Sequence, residues 1–144
     1  MAARSYWGVT PRQSVEAECE RRGKDAVVAG CIELLMGRAT DDALVAALGG
    51  PPASEGSAGV PQPYWLRVWA ARGLLWAWDD AALPALTRAL ADENWRVREM
   101  AAKVVARHLL GDALPAVVEL RADPVQRVRA AASRAVLVLT EAGA

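Results

Sequence analysis

The stretch Asp92–Lys103, DENWRVREMAAK, decides how the rest of the chain is read. Asp92 is followed by Val97-Arg98 and then by Ala101-Ala102. A shift of 31 residues, from Asp92 to Asp123, lands on DPVQRVRAAASR, with Val128-Arg129 and Ala132 in the same register. The same shift lays Ala113-Leu114-Pro115-Ala116-Val117 on Ala82-Leu83-Pro84-Ala85-Leu86. One shift back reaches Leu66-Arg67 and Ala70-Ala71. YWLRVWAARGLLW (64–76), WRVREMAAKVVAR (95–107) and QRVRAAASRAVLV (126–138) are therefore three copies of one element. A period of this length marks a stacked-repeat architecture.

Each copy reads as a helix. In the middle one Val97, Ala101, Val104, Val105 and His108 recur at spacings of three and four, which puts them on one apolar face. Asp92 is expected as an N-cap or first-turn anion, and Gly111 as the left-handed stop. The alternate helices, near Asp80–Ala91 and Asp112–Ala122, carry Pro84 and Pro115 at their starts, where a missing N–H costs least. Asp123-Pro124 is expected to open the last helix. Connections of two to four residues demand antiparallel neighbours.

The N-terminal third leaves the period. Thr10-Pro11 predicts a capped helix ending at Gly23, followed by helices over about Lys24–Met36 and Asp41–Leu48. The Gly/Pro/Ser-rich stretch 49–63 reads as a loop. The expected organisation is a single domain over 1–144: a divergent helical cap (1–48), the loop, and repeats over 64–142.

These residues resemble the HEAT-like repeat family, in its short bacterial, PBS-lyase-type form. The resemblance covers about residues 61–142 and rests on Asp92/Arg98 and Asp123/Arg129, the valine before each arginine and the small pair after it. It implies an all-α fold, a short α-solenoid of about seven or eight helices in antiparallel pairs. It also implies a ladder in which Asp92, Asp123, Arg98 and Arg129 join one repeat to the next. The first copy has Pro61 where the others have Asp, so Arg67 must find another acceptor, with Asp92 of the next repeat in reach.

Composition narrows the functional classes. The 144 residues are 53% hydrophobic and 24% charged, which excludes a disordered chain. Seventeen basic residues balance 17 acidic ones. That balance argues against a partner bound through many phosphates. No apolar run approaches the roughly 18 residues of a membrane span, and no leader is evident. Cys19 and Cys31 read as reduced, partly buried residues, so a cytoplasmic protein is expected. The Ala and Arg bias points to a GC-rich, bacterial coding genome. The one histidine, His108, has no nucleophile motif beside it. Asp41-Asp42 and Asp79-Asp80 sit where helices begin and complement their dipoles. No catalytic residue, cofactor or metal is expected.

The remaining candidates are surfaces. Trp65, Trp69 and Trp76 share a helical stripe whose later equivalents are Arg96, Met100 and Arg107, then Arg127, Ala131 and Val138. One reading covers the tryptophans with the N-terminal helices or the Gly/Pro loop; a second leaves them, with Arg72, to bind a protein; a third stacks them on nucleobases beside Arg67 and Arg72. Trp95 is expected to pack between repeats, Trp7 to pin the N-terminal segment, and Trp78 to lie at a helix junction. Thr87, Arg88, Glu119 and Arg121 on the alternate helices are expected to line the concave side. The apolar run Ala135–Leu139 in a terminal repeat predicts self-association around Val136, Leu137 and Val138. The leading function is a non-catalytic interaction module with an unknown protein partner. The alternative, by family analogy alone, is recognition of damaged DNA or excision of an alkylated base.

Overall fold

The computed structural model describes residues 9–38, 41–49 and 63–143. Trp7 and residues 50–62 of the expected loop lie outside them. The described residues form eight α-helices and no strand: α1 (Pro11–Arg22), α2 (Lys24–Leu35), α3 (Asp42–Gly49), α4 (Pro63–Gly73), α5 (Leu83–Ala89), α6 (Trp95–His108), α7 (Leu114–Glu119) and α8 (Gln126–Ala142). Short 3-10 turns precede α5 and α7, and a third follows α7.

Local chemistry sets most boundaries. Thr10 and Gln13 form a reciprocal capping box with Pro11 in the first turn, and Gly23 ends α1 at φ 95°. Gly37, at φ 72°, follows α2, and Asp41 accepts the Leu44 N–H at the start of α3. Pro84 and Pro115 stand in the first turns of α5 and α7.

Three boundaries differ from the sequence reading. Asn94, not Asp92, caps α6, its side chain accepting the Arg96 N–H at 2.9 Å. Asp92 lies just upstream because its carboxylate is engaged by another helix. The last helix begins at Gln126 rather than at Asp123-Pro124, for the same reason at Asp123. The left-handed stop of α6 is Leu109 (φ 54°, ψ 53°), and Gly111 instead opens the next 3-10 turn. A non-glycine residue there is strained. The turn accepts it: both Leu109 and Leu110 donate their N–H to the Val105 carbonyl.

The three motif helices α4, α6 and α8 lie side by side in chain order. Close approach is possible because their contact faces are small: Ala70, Ala71, Ala101, Ala102, Ala131, Ala132 and Ala135 are all buried. The short helices α5 and α7 form the other layer, α5 against α6 and α2, α7 against α8. At the N-terminal end α2 and α3 pack on α4, and α1 spans α2 and α3. One apolar cluster runs from Val15 of α1 to Leu139 of α8. Cys31 lies inside it, its thiol pushed up to about 12 by burial and then by Cys19, so it stays a neutral core group. Among the described residues no helix is long and apolar enough to cross a membrane.

Candidate functional site

At the N-terminal ends of the motif helices the repeat residues meet. Arg67 of α4 donates to both carboxylate oxygens of Asp92, at 2.7 and 3.1 Å. Arg98 of α6 does the same to Asp123, at 2.8 and 3.2 Å. Each arginine after the first also reaches back. Arg98 donates to the Asp92 carbonyl at 2.7 Å, and Arg129 to the Asp123 carbonyl at 2.8 Å. Each aspartate in turn accepts a backbone N–H two residues on, from Asn94 and Val125. The aspartates thus fix the entry to α6 and α8 while holding the preceding motif helix. Arg67 and Asp92, and Arg98 and Asp123, join successive motif helices, while Arg129 ties α8 to the chain entering it.

Burial pushes the Asp123 carboxyl up. Hydrogen bonds from Arg98 and the Val125 N–H, with the charges of Arg98 and Arg129, outweigh that and hold it below the usual carboxylate value. A carboxyl depressed in the folded state contributes stability that is full above its unfolded pKa, about 3.9, and is lost as pH falls through the lower folded value. Urea melts across an acid series are expected to show stability dropping below about pH 4. The drop should be shallower in Asp123→Asn. An unchanged slope in that variant would remove the ladder from the acid sensitivity.

Next to the ladder is an aromatic and cationic cluster. The Arg96 guanidinium stands over Trp95 at 4.5 Å, Trp65 at 5.6 Å and Tyr64 at 5.8 Å. Arg127 of α8 lies over Trp95 at 5.3 Å, so Trp95 bridges two repeats. Trp65 and Trp69 follow one another along α4, ring centroids 6.3 Å apart, both half-buried. Trp76 departs from the expected stripe: α4 ends at Gly73, and Trp76 lies in the turn beyond it. The helix tightens there because Leu75 and Trp76 bond three residues back, to Arg72 and Gly73. Arg72 turns away from this cluster, donating to the Leu48 carbonyl at 2.6 Å and tying α4 to α3.

A groove of about 560 Å³ continues the same face between α6 and α8. Its floor is apolar, formed by Leu75, Ala106, Ala130, Ala131 and Val138. Lys103, Arg107, Arg127 and Arg134 stand around it with a single carboxylate, Glu99. Glu99 accepts from Arg127 at 3.1 Å and lies 3.5 Å from Lys103. Among the described residues Arg107 and Arg134 are exposed and have no carboxylate in ion-pair range.

Thr87, Arg88, Glu119 and Arg121 do not line this groove. They are exposed on the layer of the short helices, where Arg88 comes 3.5 Å from the Met36 sulfur. The recess lies between the long helices α6 and α8, which pack on one another. His108 is structural. Its Nε2–H donates to the Leu74 carbonyl at 2.7 Å, and its ring stacks on Trp78 at 5.0 Å.

Among the described residues, the long motif helices and the short helices between them lie in two layers, and an Asp–Arg ladder joins the motif helices, which defines an α-solenoid. The family model for HEAT repeats matches residues 61–136, more than half of the chain, and the chain belongs to that family. No curated protein and no solved structure matches it.

Proposed function

We propose that the chain is a non-catalytic protein-interaction scaffold. Helices α4, α6 and α8 hold a protein partner on their common exposed face, and α1–α3 close one end of the array as its cap. The observation that carries this reading is the apolar-floored, cation-rimmed groove between α6 and α8, continued at α4 by Trp65 and Trp69. Tryptophan and arginine are the side chains over-represented where protein interfaces concentrate their binding energy. Stacked repeats commonly bind along such an extended face. Free Cys19 and Cys31 fit a reducing, cytoplasmic setting.

The test is capture from nuclease-treated native extract by wild type and by Trp69→Ala, read by mass spectrometry, with circular dichroism confirming that the variant is folded. The expected result is a protein retained by wild type and lost by the variant. Retention by both would remove the aromatic end from the binding face.

Self-association through α8 is a second reading, favoured by Leu137, which is 53% exposed. Ser133, Arg134, Thr140 and Glu141 beside it are exposed and polar. Leu137→Glu is expected to abolish any concentration-dependent dimer in sedimentation velocity. A wild-type chain that stays monomeric at high micromolar concentration would eliminate this reading.

A further inference from the structure

We infer that the α6/α8 groove takes an acidic amphipathic segment of a partner protein, an inference that rests on the scaffold reading above. The chain as a whole is neutral, yet the groove gathers four cations against one carboxylate. Glu99 satisfies Arg127 and Lys103 within the protein. That leaves Arg107 and Arg134, one on each wall, as the charges an incoming group can neutralise. Arginine presents a planar fork of donors that matches a carboxylate in bidentate fashion. Between these two arginines the floor of Leu75, Ala131 and Val138 is apolar and fits aliphatic side chains. A segment with carboxylates flanking apolar residues satisfies both features at once, and the complementarity also excludes basic segments.

A nucleic acid fits the groove less well. Two unpaired arginines would neutralise about two phosphates, where a phosphate-dominated binder engages roughly six to ten. Glu99 would repel a phosphate backbone, and the apolar floor would have nothing to pair with it.

The test is fluorescence anisotropy with the intact chain and labelled probes. One is a peptide of about 15 residues carrying Glu and Leu at helical spacing. The second is the same peptide with Gln for Glu, the third with Lys for Glu, and the fourth an oligothymidylate of similar length. The Glu peptide is expected to bind, to weaken with salt, and to bind at least about tenfold more tightly than the Gln peptide. Arg107→Glu/Arg134→Glu, at two exposed positions, should remain folded by circular dichroism, lose about tenfold for the Glu peptide and gain affinity for the Lys peptide. Equal binding of the Glu and Gln peptides, or binding of neither, overturns the inference. So does tighter binding of the oligonucleotide that is lost in the same variant, which would make the groove a nucleic-acid site. A protein captured from extract equally by wild type and Arg107→Glu/Arg134→Glu, but lost by Trp69→Ala, would sink the acidic-segment inference and leave the scaffold reading standing.

Discussion

Asp123→Ala is expected to lower the unfolding free energy by about 3 kcal/mol, with a fall in Tm of about 10 °C. The size follows from burial. The Asp123 side chain is 4% exposed and that of Arg98 15%. Removing the carboxylate strips Arg98 of two hydrogen bonds and the Val125 N–H of its acceptor. Arg98 keeps only the Asp92 carbonyl, so a largely desolvated cation is left without a counter-charge. Breaking one side of such a pair costs more than the pair is worth, because the stranded group retains its desolvation penalty. Asp92→Ala, whose pair with Arg67 is more exposed, is expected to cost less, about 2 kcal/mol. Urea melts followed by tryptophan fluorescence would measure both. A loss below about 1 kcal/mol at Asp123 would mean that water replaces the carboxylate and the ladder is effectively a surface feature.

Gly73→Val is expected to cost about 3 kcal/mol, for a steric reason. A Cβ on Gly73 would come within 2.6 Å of the Leu48 Cδ2 and 3.3 Å of the Cys31 sulfur. Those two buried side chains belong to α3 and α2, so Gly73 is where the first motif helix seats against the N-terminal helices. Gly73→Ala should cost only about 1 kcal/mol, since the tip of Leu48 can swing and alanine favours the helix. A valine adds branches that meet both neighbours. The diagnostic measurement is a double-mutant cycle with Leu48→Ala, which opens space under the new side chain. Gly73→Val should be much less harmful in that background. Strict additivity would show that the strain lies elsewhere.

Much of this architecture is legible in the chain. A period of 31 residues places three equivalent helices, and the alternation of apolar and polar positions along each assigns its buried face. Pro84, Pro115, Thr10 and Gly23 mark ends by their own backbone chemistry. The departures have separate causes. Asp92 and Asp123 read as helix caps because they precede helices, but arginines 25 residues upstream engage their carboxylates. Gly111 reads as a stop because glycine tolerates positive φ, yet Leu109 takes that conformation. Trp76 reads as part of a stripe because the period extrapolates through Gly73, where the helix ends.

Sequence alone determined the helices, their repeat and the residues of the ladder, because these depend on local propensity and on spacing along the chain. Tertiary structure alone decided which layer carries the groove, which of its charges are already paired, and that Arg72 donates to the Leu48 carbonyl of α3. Those outcomes depend on which side chains meet across helices. A cation is available to a ligand only when no neighbour in space has neutralised it, and linear spacing does not record that.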